Sequence, residues 1–165
     1  MLDDKNLSLT MRELMPLVEE ELKKGKDVML PLKGFSMTPF LIHNRDSIVL
    51  TAMNSRSIRV GDMVMFKREG GSYAMHRVYK VHSDNTFDIV GDAQFVGDKN
   101  IRYDMLVAYV PKVIRNGREI DCEKGFWRTV MTGYMKLRMT HPLTAERLLK
   151  IYRILFARSL ENSNE

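Results

Sequence analysis

The sequence is poor in cysteine and has no long apolar segment. Its single cysteine, Cys122, excludes an internal disulfide and any zinc site built from several cysteines. No apolar run approaches the roughly 20 residues that a helix needs to cross a bilayer. Residues 1–5 lack the basic start and the apolar stretch of a secretory signal peptide. We therefore expect a cytoplasmic protein.

A phosphate-binding glycine loop is also missing, because Gly70-Gly71 is followed by neither a lysine–serine pair nor a helical pattern. What is present is the composition of an ordinary folded protein. Of the 165 residues, 44% are hydrophobic and 28% are charged, which excludes the disordered and collagen-like classes. A chain of this length favours one domain.

Positive charge is concentrated near the C-terminus. Residues 124–158 carry eight basic side chains and one acidic side chain, Glu146, whereas the rest of the chain is close to neutral. Aromatic and aliphatic residues alternate with these cations, as in amphipathic helices on membrane surfaces. Two interpretations stay open: peripheral binding to the inner face of an anionic membrane, or a helical pair packed on the body of the protein. Nucleic-acid binding is disfavoured, since no base-reading motif occurs.

Hydrophobic periodicity divides the chain into three parts, which we expect to form one domain overall. Residues 1–26 contain an amphipathic helix, predicted over 7–25, with Thr10 and Glu13 as a capping box. Residues 27–121 have the pattern of a β domain, an antiparallel barrel or sandwich. Residues 122–165 form the basic C-terminal helical segment.

Six strands and two C-terminal helices are predicted. The strands, which are rich in Val, Ile, Met and Tyr, cover residues 28–32, 47–52, 62–68, 73–82, 87–90 and 106–114. Hairpin turns are expected at Gly70-Gly71 and Asn116-Gly117. His141-Pro142 should separate the helices 124–139 and 143–158, because the residue before a proline avoids the helical region.

The first chemistry-bearing residue is Ser36, which follows a predicted strand and lies between Gly34 and Pro39. A turn of this kind can expose the hydroxyl and leave nearby backbone N–H groups free. A nucleophile for acyl transfer and its oxyanion hole need both features. An ordinary turn serine has the same local pattern, so the motif alone does not decide.

The second is His76, within the strand predicted over 73–82. Alternation along a strand places His76 and Val78 on one face, and Met75 and Arg77 on the other. A buried imidazole can serve as a neutral base, because burial lowers the pKa of the imidazolium. A hydrogen-bonded core histidine is the simpler alternative.

Two acids follow the strand predicted over 87–90. Asp92 comes directly after Gly91, and Asp98 lies six residues further on. A carboxylate at a sheet edge can hold a histidine tautomer and stabilise its charged form. An Asx turn explains Gly-Asp equally well when it stands alone.

Together these segments resemble the signal peptidase I and SOS-repressor superfamily of serine peptidases. Residues 34–39, Gly-Phe-Ser-Met-Thr-Pro, are similar to its nucleophile box, and residues 75–78 to its general-base box. The other similar segments are a Gly-Asp strand at 59–66, a late Gly-Asp box at 91–94 and a closing strand at 106–110. The family order is kept over about residues 28–118. The resemblance implies that family's β-barrel fold.

The resemblance also implies roles for the residues. Since position 76 is histidine rather than lysine, the likeness is to the Ser–His branch, with Ser36 as nucleophile and His76 as general base. Asp92 would orient His76, and Asp98 occupies the position of a second acid. The oxyanion hole would consist of the backbone N–H groups of Ser36 and Met37. No cofactor and no metal are implied.

The chain departs from the family in three places. Gly34 stands where many signal peptidases have a serine that adds an oxyanion donor, and Ala93 stands where asparagine usually follows Gly-Asp. An amphipathic helix, rather than a membrane-spanning one, precedes Ser36. The likeness is therefore to short soluble bacterial members. It implies cleavage of a peptide or a precursor protein, as in peptide maturation.

Other sites are disfavoured on spacing. Lys67 and Lys80 lie outside the base box, which argues against a Ser–Lys dyad. His76 and His82 would lie about 20 Å apart on an unbroken strand, too far to share a zinc ion with Asp84. The main functional alternative is a non-catalytic β module that binds an anionic membrane or nucleic acid through its basic C-terminal helices.

Overall fold

Eight antiparallel strands form one sheet in this computed structural model, which describes the backbone of residues 10–54 and 56–161 and the side chains up to Tyr152. The strands are β1 (Val28–Pro31), β2 (Asp46–Ala52), β3 (Met63–Lys67), β4 (Tyr73–Val81), β5 (Phe87–Val90), β6 (Asp98–Ile101), β7 (Leu106–Arg115) and β8 (Arg118–Asp121). Their order is β1-β2-β7-β3-β4-β5-β6, and β8 pairs with β7 outside this path. Over the described residues the sheet is open, with β1 and β6 at its ends.

The prediction of a mainly β protein is confirmed. The strand pairing shows no closed barrel over the described residues. Register shifts occur at four strand pairs, β2–β7, β3–β7, β4–β5 and β5–β6, and irregularities of this kind bend the strands that contain them. The six predicted strands are present. In most of them, one or both ends differ from the predicted ends by one residue. The strands β6 and β8 were not predicted, because each is dominated by polar residues.

The sheet is covered on both faces around its centre. On β3, Met63 and Met65 join one hydrophobic cluster, and Val64 and Phe66 join a second. The continuous apolar run of this strand therefore reflects burial on both sides. The first cluster also contains the buried face of the N-terminal helix, so that helix is part of the core.

Three helices flank the sheet: α1 (Met11–Lys23), α2 (Gly125–Thr140) and α3 (Pro142–Glu161). The capping interaction expected for α1 is present, since the Glu13 carboxylate accepts the backbone N–H of Thr10 at 2.9 Å and its hydroxyl at 2.7 Å. Residues 7–9 of the predicted helix lie outside the described residues. The break between the C-terminal helices falls at His141-Pro142, as predicted.

The packing of the helices places them on different parts of the sheet. α1 contacts β1, β2 and β4, whereas α2 contacts β8 and α3. Over the described part of the chain, none of the helices combines the length and the apolar character needed to cross a membrane.

Candidate active site

Ser36 and His76 line the same cavity, of about 630 Å³, between α1 and the sheet. The start of α1 forms one wall through Thr10, Met11 and Leu14. The remaining apolar lining comes from the sheet and the loop after β1: Leu30, Leu32, Met37, Ile48, Met65 and Met75. The two residues that the sequence singled out as nucleophile and base thus line one cavity, although they are 40 positions apart.

The loop that carries Ser36 is fixed at both ends by hydrogen bonds that its backbone N–H groups donate. Gly34, with φ at +94°, donates its N–H to Nδ1 of His43 at 3.0 Å. The N–H of Leu41 donates to the carbonyl of Met37 at 2.9 Å. In the middle, the carbonyl of Ser36 accepts the N–H of Ala93 at 2.8 Å. This last bond joins the loop to the turn that follows β5.

The backbone N–H groups of Ser36 and Met37 have no acceptor within the described residues. The Met37 side chain is buried in the core, while Ser36 is partly exposed at the cavity. Two adjacent free donors beside a serine hydroxyl are what the negative oxygen of a tetrahedral intermediate requires. The geometry is therefore compatible with the predicted oxyanion hole.

His76 is held in β4 with only 4% of its surface exposed. Its Nδ1 lies 3.9 Å from Oδ2 of Asp98 and has no hydrogen-bond partner among the described residues. Burial lowers the pKa of His76 below its ordinary value, and the nearby charge of Arg68 acts in the same direction. Burial therefore favours the neutral imidazole, which is the state that a general base needs.

Asp98 is the carboxylate beside His76, and it is shared with an arginine. Arg68 donates from Nε to Oδ1 of Asp98 at 2.6 Å and from Nη2 to Oδ2 at 2.8 Å. These bonds are the main cause of a lowered pKa for Asp98, so the group stays ionised. Arg68 also lines the cavity of Ser36 and His76.

Asp92 is engaged elsewhere. Its two carboxylate oxygens accept Nε and Nη2 of Arg77 at 2.8 and 2.7 Å, and both side chains are buried. Nη1 of Arg77 donates to the carbonyl of Gly61 at 2.9 Å. The carboxylate of Asp92 is therefore occupied by Arg77, whereas the acid that lies 3.9 Å from Nδ1 of His76 is Asp98. Arg77 points away from His76, as strand alternation required, and a buried arginine needs an acid on its own side.

No protein-family model matches the chain. A comparison with curated proteins also finds no match. The likeness to signal peptidases therefore stays a prediction that rests on the motifs, and the convergence of Ser36 and His76 on one cavity is an independent observation.

Helix α2 supports the loop that carries Ser36. The sequence analysis did not predict this support. Nη1 of Arg138 donates to the carbonyl of Gly91 at 2.8 Å, and the hydroxyl of Tyr134 donates to the carbonyl of Asp92 at 3.0 Å. The next residue of the turn, Ala93, holds the carbonyl of Ser36. Tyr134 and Arg138 are four residues apart on a helix and so share a face. That spacing indicates a common partner, but nothing local indicates which one.

Proposed function

We propose that this protein is a serine endopeptidase that cleaves a peptide or a precursor protein, with Ser36 as nucleophile and His76 as general base. The observation that carries the proposal is that Ser36 and His76 line one cavity, with the Asp98 carboxylate 3.9 Å from Nδ1 of the histidine. The order of the sequence motifs supports a place in the signal peptidase and SOS-repressor superfamily. The bent sheet would then correspond to that family's barrel.

The chemistry follows from the positions of these groups. The Oγ of Ser36 attacks the scissile carbonyl carbon while Nε2 of His76 takes the hydroxyl proton. The carbonyl oxygen becomes negative and is bound by the N–H groups of Ser36 and Met37. Collapse of the intermediate breaks the C–N bond, and His76 returns its proton to the leaving amine. Water then hydrolyses the acyl-enzyme by the same route.

Asp98 supports this cycle through the opposite nitrogen of the ring. With Nδ1 of His76 facing the Asp98 carboxylate, the proton belongs on Nδ1, which leaves Nε2 free to accept. The separation of 3.9 Å is longer than a hydrogen bond, and catalytic hydrogen bonds commonly tighten when substrate binds. The apolar lining of the cavity favours a substrate segment with apolar side chains next to the cut.

The proposal is tested by labelling with a fluorophosphonate probe, followed by peptide mapping and by cleavage of a peptide library. The probe is expected to modify Ser36 in the native protein. Labelling should be absent in Ser36→Ala, slower by about 10²–10⁴-fold in His76→Ala, and unchanged in the exposed control Ser57→Ala. Modification of another serine, or the absence of both labelling and cleavage, would reject the peptidase and favour the non-catalytic module.

A second test concerns the pH dependence of the base. Arg68→Met removes a cation that lowers the pKa of His76 and frees Asp98, whose charge raises it. Both changes favour the imidazolium, so the acid limb of the kcat/KM profile is expected to move to higher pH. The control is Arg102→Gln, which removes an arginine paired with Asp104 on the exposed surface. A shift of the limb to lower pH in Arg68→Met would contradict the assignment of His76 as base.

A further inference from the structure

Over the described side chains, the two C-terminal helices contact the rest of the protein mainly through one side of α2. The side chains of α2 that face the body bind it: Arg128 pairs with Asp62, and Arg138 donates to Gly91. Helix α3 packs on α2, and its buried residues among the described side chains are Ala145 and Leu149. The opposite side of α3 therefore faces solvent.

That side of α3 carries three exposed aliphatic side chains. Leu143, Leu148 and Ile151 are between 50% and 71% exposed. Successive helix residues are about 100° apart, so these three fall within an arc of about 140°. The arc lies away from Ala145 and Leu149. Three large aliphatic side chains on one solvent-facing arc are unusual for a helix that has no partner.

The same side carries two cations that form no ion pair with the described side chains. Arg147 lies within the apolar arc and Lys150 lies about 20° outside it. Both are exposed, and over the described side chains neither has a carboxylate within ion-pair distance. Arg128 and Arg138 on α2 differ in this respect, because each is bound to the body.

We propose that α3 docks on the surface of an anionic lipid bilayer. Leu143, Leu148 and Ile151 would enter the boundary between headgroups and acyl chains, and Arg147 and Lys150 would bind lipid phosphates or carboxylates. A second copy of the chain is a poorer fit, since a symmetric contact through this face would bring unneutralised cations together. The inference does not depend on the peptidase, because no residue of the cavity takes part in it.

The test is co-sedimentation of the whole protein with vesicles of phosphatidylglycerol or of phosphatidylcholine. The protein is expected to bind the anionic vesicles, to bind less at high salt, and to bind neutral vesicles weakly. Removal of both charges, in R147Q/K150Q, should weaken binding to anionic vesicles by about thirty-fold, because each basic residue near an anionic surface contributes about 1 kcal/mol. L148E/I151E should weaken it at least as much.

Two controls separate this proposal from its alternatives. Leu17→Glu changes an equally exposed leucine on α1 and is expected to leave vesicle binding unchanged. Ser36→Ala should also bind normally, which separates failure of docking from failure of catalysis. Circular dichroism reports whether each variant is folded. Equal binding to both lipids, or a dimer without vesicle binding that L148E/I151E dissociates, would overturn the proposal.

Discussion

Asp92→Asn is expected to lower the free energy of unfolding by about 3–5 kcal/mol, because it leaves the buried charge of Arg77 without its partner. Arg77 is 1% exposed, and both of its bonds to a carboxylate go to Asp92. An asparagine can accept one of these hydrogen bonds but cannot balance the charge. Urea unfolding, monitored by circular dichroism, measures the loss.

Asp98→Asn is the matched comparison, since it makes the same chemical change in the acid beside His76. The pair of Asp98 with Arg68 is partly exposed, so its loss should cost about 1 kcal/mol or less. The effect of Asp98→Asn should instead be on activity. We expect kcat to decrease by up to about 10⁴-fold, because the tautomer of His76 is no longer fixed. A stable but inactive Asp92→Asn beside an active Asp98→Asn would return the orienting role to Asp92.

Gly91→Ala is expected to reduce turnover by about 10²-fold. A Cβ at this position would lie 2.7 Å from the carbonyl oxygen of Ser36 and 2.8 Å from Oε1 of Gln94. The Gln94 side chain can move away, but the Ser36 oxygen belongs to the backbone and is bound by Ala93. The nucleophile loop must therefore shift, and a displacement of about 1 Å at a reacting group is enough for a loss of this size.

The control for this variant is Gly133→Ala. A Cβ at Gly133 meets nothing within 4 Å, and the position lies inside α2, where alanine is the better helix former by up to about 1 kcal/mol. Activity should be unchanged and stability equal or higher. Steady-state cleavage of one peptide from the library compares the two variants. Full activity in Gly91→Ala would show that the contact with Ser36 does not position the nucleophile.

Local sequence patterns were sufficient for most of the fold. The capping residues Thr10 and Glu13, the turn at Asn116-Gly117 and the break before Pro142 are short-range signals, and each was found where it was predicted. Strand β6 was not predicted, because Asp98–Ile101 has one large apolar residue and no alternation of apolar and polar residues. Its place in the sheet is fixed by pairing with β5, which is not a local property.

The sequence predicted the residues of the candidate site, but not which of them lie beside one another. Motif spacing identified Ser36 and His76, but not which acid lies beside the imidazole. That choice depends on strand pairing, because Ile89 of β5 pairs with Asp98 of β6, a strand that the sequence did not predict. Arg68 and Arg138 gave no signal at all, because an arginine in a sequence does not reveal the residue to which it is bound.

Because α2 supports the turn at Gly91 and Asp92, the candidate site cannot be complete until α2 has been synthesised. Ser36, His76 and Asp98 are all translated before Tyr134 and Arg138, the residues that anchor the turn. A nascent chain that ends before α2 thus carries the chemistry-bearing side chains without the helix that holds their loop. Tyr134 and Arg138 are translated about a hundred positions after Ser36, and the geometry of the candidate site is complete only after that point.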